Sequence, residues 1–434
     1  MLLTNSIYAL TMRVLGLIIN ILTFALLANQ LPIDAVGLYS LIASIALAAR
    51  YLGPLGLDQL TIKSVRELVG SDDNIFVSAF HRKSVSVIIV STFIYSVFFF
   101  LISYSLDFLN YDISTLTSMN LIIISSVFSG YFSGVFRAHD HFFLSFFPDN
   151  FFSYLLTAIF CVIFLQVGKL NTDNAIIALA IGTSGAALLH IAAFIYLIPI
   201  WGPKYKTPIR FKELLTLWMV LAANFLQSRS SVFLAAAIGS LTTTALMDTA
   251  MKFALVPTLA TWAIGAVFGP KLVSLNAANN KPGAQELIVV ASWIAFLPAL
   301  AFLLCFIFVG QFIIANLLSS NYLGAYPATI LCLIATAVNS SCSITSTYLY
   351  YCGKQIVVLK YTAISFVSFC ITGYFLGTSF GSIGISIGFL ISTIIRDFGL
   401  MYFLLKSERI HSGIWNFRGL IDTFSILKKI KYSI

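Results

Sequence analysis

The chain has 434 residues, of which 59% are hydrophobic and only 9% are charged, and its mean hydropathy is +0.96. Soluble globular proteins carry about 25% charged residues, so this composition excludes a soluble fold and predicts an integral membrane protein. The formal net charge of +9 does not indicate nucleic-acid binding, because the basic residues concentrate in loops on one side of the predicted membrane helices.

A helix needs roughly 20 mostly apolar residues to cross the hydrocarbon core of a membrane. By this criterion the sequence predicts twelve membrane-spanning helices, and the fold class is therefore all-α. The predicted spans cover residues 6–29, 36–62, 84–107, 117–137, 145–168, 175–198, 213–238, 245–270, 286–309, 326–350, 357–378 and 382–405. The first span contains Arg13 and is too long for the apolar core of a signal peptide, so we interpret it as a true membrane helix.

The distribution of basic residues predicts the orientation, because Lys and Arg accumulate in cytoplasmic loops. With both termini in the cytoplasm, 19 of the 25 basic residues fall at or beside cytoplasmic segments, and only Lys169 falls on the other side. The other five lie inside predicted spans. The sequence therefore predicts a multi-pass protein with two cytoplasmic termini, whose basic loops contact anionic membrane lipids.

A proline-rich basic stretch, PIWGPKYKTPIRFKE, lies close to the midpoint of the chain and predicts a cytoplasmic linker between two halves. Residues 37–49 also match residues 245–257 at an offset of 208, each at the start of the second helix of its half. Two pseudo-symmetric six-helix lobes around a central cleft are a common transporter plan. The predicted parts are an N-terminal lobe (1–200, spans 1–6), a linker (201–212), a C-terminal lobe (213–405, spans 7–12) and a cytoplasmic interfacial tail (406–434).

Seven charged residues lie deep inside the predicted spans, where each costs roughly 2.5–3.5 kcal/mol on insertion scales. Such residues usually face a bundle interior or a water-filled cavity. They are the basic residues Arg13, Arg50, Arg229, Lys252 and Arg396 and the acidic residues Asp248 and Asp397. The surplus of about three positive charges predicts a cleft for an anionic, phosphate-bearing substrate, with the five basic residues as candidate substrate-binding groups.

Several of these charges have two interpretations. Asp248 and Lys252 are four residues apart, so their side chains can meet on one helix face. They form either a local ion pair that neutralises itself for membrane insertion, or a functional pair in which Lys252 attracts an anion and Asp248 exchanges a cation. Arg396 and Asp397 are adjacent, so their side chains are expected to point about 100° apart and to neutralise each other less well than Asp248 and Lys252 do. Arg13 lies about two turns from the cytoplasmic end and can instead snorkel to the interface. Coupling to a proton or sodium gradient is a hypothesis that rests on Asp248 and Asp397.

Motifs for other chemistry are absent from the sequence. It has no GxxxxGK[ST] loop, no nucleophile elbow and no paired catalytic carboxylates, so it predicts neither an enzyme nor a cofactor. His139-Asp140-His141 is not followed by a further ligand cluster and the six cysteines lack CxxC spacing, so no metal is expected. Four GxxxG spacings predict close helix packing. They are Gly130/Gly134, Gly265/Gly269, Gly373/Gly377 and Gly384/Gly388.

Three segments carry a family resemblance. The first segment begins with Gly37-Leu38-Tyr39-Ser40 and contains Gly56-Leu57-Asp58 near its cytoplasmic end. The second is ALMDTAMKFALVPTLATWAIGAVFGPKLVSL, which contains Pro270-Lys271-Leu272 near its end. The third is YLGAYPATILCLIATAVNSSCSITSTYLYYCGKQ, which contains Gly353-Lys354 near its end. In this order and spacing they resemble the polysaccharide transporter, or O-antigen flippase, family of the multidrug/oligosaccharidyl-lipid/polysaccharide (MOP) exporter superfamily.

The resemblance implies a MATE-like fold of about twelve helices in two lobes. It further implies a flippase, not an enzyme, that moves an undecaprenyl-diphosphate-linked oligosaccharide, the O-antigen repeat unit of lipopolysaccharide, to the outer leaflet of a bacterial inner membrane by alternating access. Other polysaccharide assembly proteins are implied as partners. A cation-coupled multidrug antiporter, a membrane glycan polymerase or ligase, and a passive subunit of a larger complex remain as alternatives.

Overall fold

The computed structural model describes residues 2–69, 74–105, 113–198 and 211–414. Every regular element within these ranges is helical, which confirms the all-α fold class. The helices are α1 (Leu2–Gln30), α2 (Ile33–Leu52), α3 (Leu57–Val69), α4 (Asn74–Ser105), α5 (Ile113–Ala138), α6 (Phe142–Phe147), α7 (Ser153–Gln166), α8 (Thr172–Leu197), α9 (Phe211–Ile238), α10 (Leu241–Ala277), α11 (Lys281–Leu317), α12 (Ala325–Tyr351) and α13 (Gln355–Glu408). A π-helical turn, Pro148–Phe152, joins α6 to α7, and a 3-10 turn, Ser320–Tyr322, precedes α12.

Ten helices of the described chain are long and apolar enough to cross a membrane, so the protein is a multi-pass membrane protein. The predicted number of twelve is therefore approximate. Two of the predicted spans lie together in α13, and the predicted span 213–238 corresponds to α9, whose apolar parts are shorter. Most of the predicted linker (201–212) and the predicted tail from residue 415 onward lie outside the described residues.

The predicted second span is broken in the middle, between α2 and α3. The break exposes backbone groups, and these must find partners because lipid offers none. The Leu52 carbonyl accepts a hydrogen bond from Trp218 Nε1 at 3.0 Å, and the Gly53 carbonyl accepts one from Ser91 Oγ at 2.9 Å. Gly56 has a φ of +81°, and a Cβ there would lie 2.9 Å from the Trp218 backbone nitrogen, so only glycine fits without strain.

The chain forms two compact units, residues 1–225 and 226–434, and the boundary between them falls inside α9. In the first unit α5 is the central helix, with Val127, Tyr131 and Val135 fully buried. A Cβ on Gly130 would lie 2.2 Å from the carbonyl oxygen of Arg50 on α2, and a Cβ on Gly134 would lie 2.6 Å from Asp58 on α3. This GxxxG pair therefore lets both halves of the broken span approach α5 closely, as predicted.

In the second unit α12 packs against α10, α11 and α13. The helix α13 consists of two antiparallel segments, because Gly381 adopts φ +58° and ψ −134° and a Cβ on Gly388 would lie 2.7 Å from the Gly373 Cα. The prediction of two separate spans is thus confirmed here. Gly265 differs, since the nearest described atom to its added Cβ is the Thr347 hydroxyl at 3.8 Å, so this glycine makes no close helix approach.

The helix boundaries repeat along the chain. The helix α1 ends at Gln30 and α9 ends at Ile238, while α2 begins at Ile33 and α10 begins at Leu241. Both pairs are separated by the offset of 208 residues that relates the matching segments of the sequence. The junction between the first two helices therefore recurs in the two halves at this offset, in keeping with the predicted pseudo-symmetry.

Candidate functional site

A group of three charged side chains lies in the second unit. Asp248 and Lys252, one turn apart on α10, form an ion pair, and the Asp248 Oδ1 atom also lies 3.4 Å from Nη1 of Arg229 on α9. The Asp248 side chain is 2% exposed, whereas the side chains of Arg229 and Lys252 are 16% and 11% exposed. The carboxylate is therefore shared by two cations, and both cations remain more accessible than the carboxylate.

A second ion pair of this unit lies on the last segment of α13. Arg396 donates two hydrogen bonds to Asp397, from Nε at 2.8 Å and from Nη2 at 3.1 Å. The expectation that these neighbours point apart and satisfy each other poorly is wrong, because the long arginine side chain folds back to the carboxylate. Asn339 on α12 donates a third hydrogen bond to Asp397 at 3.1 Å.

The first unit contains an acid that the sequence reasoning missed. Asp149 lies in the π-helical turn, and its Oδ2 atom is 2.6 Å from Nη2 of Arg50, in the last turn of α2. The carboxylate is 4% exposed and the arginine side chain 20% exposed. Arg13 on α1 has a different environment, because its guanidinium carbon lies 5.1 Å from the centre of the Phe146 ring.

Asp149 belongs to a buried polar network that connects three helical elements. Ser129 of α5 donates a hydrogen bond to Asp149 Oδ1 at 2.5 Å, and the same hydroxyl lies 2.9 Å from Nδ1 of His190 on α8. His190 is fully buried, and its Nε2 lies 3.0 Å from the Leu144 carbonyl oxygen. Proline at position 148 has no N–H to donate to this carbonyl four residues earlier, so the histidine supplies the hydrogen bond that the helix lacks.

A further, partly buried ion pair lies beyond the break in the second span. Arg137 at the end of α5 has its Nη2 atom 3.6 Å from Asp58 Oδ2, and Gln59 donates a hydrogen bond to the same oxygen at 2.9 Å. Asp58 was recognised in the sequence only as part of a family motif. The structure thus pairs an arginine and an aspartate on each side of the break, in Arg50–Asp149 and Arg137–Asp58.

The charge balance of the spans changes with these acids. Against the five predicted basic residues there are now three acidic residues, Asp149, Asp248 and Asp397. The charge of Asp58 is balanced by that of Arg137. Among the described residues the positive surplus is therefore about two charges, smaller than the sequence predicted. The reason is that Asp149 follows Pro148 near the start of a span, where the sequence resembles a loop.

In every one of these ion pairs the basic side chain is the more accessible partner. Arg50, Arg229, Lys252 and Arg396 have between 11% and 20% of their side-chain surface exposed, whereas the paired carboxylates have 2% to 4%. The more exposed member of each pair carries a guanidinium or an ammonium group. Such groups bind phosphate oxygens strongly, and arginine does so with two parallel hydrogen bonds.

The two histidines of the His139-Asp140-His141 stretch, from which no metal site was predicted, differ in their surroundings. His139 follows α5, and its Nε2 lies 3.0 Å from Nε2 of His81 on α4. Burial, followed by the neighbouring His141, lowers the pKa of His139 below its usual value. Within the described ranges no group of three or more metal-ligating side chains has an arrangement that could hold a metal ion.

Comparisons with known proteins give a family and a fold. A family model described as "Polysaccharide biosynthesis protein" matches residues 2–268. The fold matches an inward-facing multidrug resistance MATE family transporter of the MOP superfamily with a TM-score of 0.68 at 14% identity, covering 93% of this chain and 99% of that chain. It also matches the inward closed conformation of the lipid II flippase MurJ with a TM-score of 0.68 at 17% identity, covering 98% and 93%.

A third similar structure is a MOP superfamily transporter from Pyrococcus furiosus, described as having a reversed polarity of its binding pocket. Its TM-score is 0.62 at 13% identity, covering 94% of this chain and 96% of that chain. A comparison with curated protein sequences gives no significant match. At these identities the solved structures show that the chain shares their fold.

Proposed function

We propose that this chain is a flippase for a lipid-linked oligosaccharide, since the chain belongs to the polysaccharide biosynthesis protein family. Its fold is shared with a lipid II flippase and with multidrug transporters of the MOP superfamily. A sugar chain joined to a diphosphate cannot cross hydrocarbon unaided, because each unpaired polar group costs several kcal/mol there. A protein that shelters the polar head and leaves the prenyl chain in lipid removes this barrier.

The observation that carries the proposal is the accessible positive side of the membrane ion pairs. Arg50, Arg229, Lys252 and Arg396 have the exposure and charge that a diphosphate needs, while their carboxylate partners are buried. Arg13 adds a fifth cation, held against an aromatic ring. We assign these five residues to diphosphate binding.

The proposal extends to the cargo and the membrane. The cargo is an undecaprenyl-diphosphate-linked O-antigen repeat unit, moved to the outer leaflet of a bacterial inner membrane by alternating access, with both termini in the cytoplasm and other polysaccharide assembly proteins as partners. With an inside-negative potential, outward movement of an anion is favoured by about 2.3 kcal/mol per charge per 100 mV. The alternative of a multidrug antiporter would carry cations, and the accessible arginines and lysine disfavour cationic cargo.

Asp248 and Asp397 are the candidate residues for coupling to a proton or sodium gradient. Each carboxylate already receives two or three contacts from basic or amide groups. A cation that binds there must displace a permanently charged partner. These contacts are therefore better suited to holding the basic side chains in place.

Complementation tests the proposed function. A bacterium that lacks its own O-antigen flippase receives the parent chain, Lys252→Ala, Arg229→Ala, or the control Lys360→Ala, whose lysine is exposed on α13. We expect surface polysaccharide with the parent and the control, and at least a tenfold loss with the two site variants at matched membrane levels of protein. Lys252→Arg is expected to restore part of the activity, because it keeps the charge.

The outcomes separate cargo from site. Failure of the parent, when the cognate glycan is supplied, would refute the flippase assignment. Equal activity of Lys252→Ala, Arg229→Ala and the parent would leave the cargo assignment standing and would remove these residues from diphosphate binding.

A further inference from the structure

The polar network of the first unit has a defined arrangement of hydrogens. The Leu144 carbonyl can only accept, so the His190 nitrogen that faces it at 3.0 Å must carry a hydrogen. In a neutral imidazole the other nitrogen is then an acceptor. This second nitrogen, Nδ1, lies 2.9 Å from the Ser129 hydroxyl oxygen.

Ser129 cannot satisfy both of its neighbours. Its hydroxyl has a single hydrogen, and two acceptors lie within hydrogen-bond distance, Nδ1 of His190 and Oδ1 of Asp149. Arg50 approaches the other carboxylate oxygen, Oδ2, so it supplies no hydrogen to this contact. With a neutral imidazole and an ionised carboxylate, the network is one hydrogen short.

One added proton completes the network in either of two ways. On the carboxylate it donates to Ser129, whose own hydrogen then turns to His190. On the imidazole it donates to Ser129, whose hydrogen then turns to Asp149. We propose that Asp149, Ser129 and His190 form a proton-binding site in which the serine hydroxyl passes the proton between carboxylate and imidazole.

The surroundings make this proton sensitive to charge. Arg50 on α2 is the charged group that contacts the site, and Arg137 also interacts electrostatically with Asp149. Tyr51, Tyr154 on α7 and Asp58 on α3 act on Arg50, and Arg13 interacts with Arg50 and Arg137. Nδ1 of His190 lies 4.0 Å from Asp149 Oδ1, so a proton on the imidazole sits close to the carboxylate, whereas Arg50 approaches the far carboxylate oxygen. Burial favours whichever distribution carries less charge. The proton therefore belongs to the network as a whole.

Arg50 connects this site to the cargo, and this step rests on the proposed function. Asp149 is the carboxylate 2.6 Å from Arg50, so an anion that takes over the guanidinium removes the counter-ion of Asp149. A buried carboxylate without its counter-ion binds a proton more readily. Proton and anion binding are therefore positively coupled, and by linkage each strengthens the other equally.

The proton site is tested first without any cargo. Infrared difference spectra of the parent in nanodiscs of phosphatidylethanolamine and phosphatidylglycerol are recorded between about pH 8 and about pH 5, the range in which histidines titrate. We expect a titration step with carboxylic-acid and imidazole bands that Asp149→Asn removes. The control Asp173→Asn, which alters a carboxylate bonded to Thr115 without a histidine, is expected to leave the step unchanged.

Ser129→Ala serves as a milder variant if Asn at position 149 prevents folding. It removes the bridging hydroxyl, and we expect the titration midpoint to move by about one pH unit, a tenfold change in proton affinity. Spectra that are identical in the parent, Asp149→Asn and Ser129→Ala would overturn the proposed site.

The coupling is tested with farnesyl diphosphate as the probe. Calorimetric titrations in two buffers of different ionisation enthalpy report protons taken up on binding. We expect the parent to take up a proton on binding and Asp149→Asn to bind the probe with no uptake. Binding by the parent without uptake would overturn the coupling. If the parent does not bind the probe, the anion site of the proposed function is refuted, while the infrared titration still decides the proton site.

Discussion

The two units surround their membrane carboxylates in different ways. In the second unit Asp248 contacts Arg229 and Lys252, and Asp397 is held by Arg396 and the Asn339 amide. In the first unit Asp149 contacts one arginine, and its other oxygen accepts from a serine that also faces a histidine.

This difference separates fixed charge from titratable charge. The guanidinium groups of Arg229 and Arg396 stay charged at ordinary pH, so each carboxylate of the second unit has a permanent counter-charge. The histidine and the serine hydroxyl of the first unit can gain or redirect a proton without breaking the ion pair. We therefore expect the second unit to respond to loss of charge and the first unit to respond to pH.

The largest effect is expected from Asp248→Asn in the second unit. This change leaves Arg229 and Lys252 without their shared carboxylate in a buried position, which costs about 3–5 kcal/mol when one partner of a buried pair is removed. The apparent Tm in detergent, measured beside the control Asp173→Asn, is expected to fall far more for Asp248→Asn. An equal Tm for the two variants would show that the cations relax into water at no cost.

A smaller loss is expected from Gly56→Ala at the break in the first unit. The left-handed backbone and the close Trp218 nitrogen together predict strain of about 1–3 kcal/mol. Gly353→Ala in the second unit is the matched control, because Gly353 also has a positive φ of +76° but no described atom within 4 Å of the added Cβ. If Gly56→Ala lowers the Tm no more than the control does, then α9 shifts enough near Trp218 to accommodate the added methyl group.

The fold was largely accessible from the sequence, whereas half of the site was not. Apolar length identified the helices, and charge inside apolar stretches identified Arg50, Arg229 and Lys252. The network around Asp149 was not predicted, because Arg50, Ser129 and His190 are distant in sequence from the carboxylate. A serine or histidine in an apolar run does not by itself indicate a functional site. Only the packing of α2, α5 and α8 around the π-helical turn brings these side chains together.

The same reason explains the wrong expectation for Arg396 and Asp397. Helical geometry fixes the directions of the two Cβ atoms, and these do diverge. It does not fix the end of a side chain as long as arginine, which reaches back to make two hydrogen bonds. Adjacent charges on a membrane helix are therefore judged better by the reach of their side chains than by their angular separation.

The smallest predicted effect is a pH dependence at the end of α5 in the first unit. Burial lowers the pKa of His139, so between this lowered value and the usual value of about 6.5 the unfolded state binds more protons than the folded state. Stability is therefore present above about pH 6.5 and is lost as the pH falls below it. We expect the apparent Tm of the parent to drop by more than that of His139→Gln on acidification to about pH 5.

His411→Gln is the matched control, because His411 is exposed and follows α13 in the second unit. It is expected to follow the parent at every pH. If His139→Gln and the parent lose stability equally, the hydrogen-bonded rings of His81 and His139 do not contribute to the acid sensitivity of the first unit.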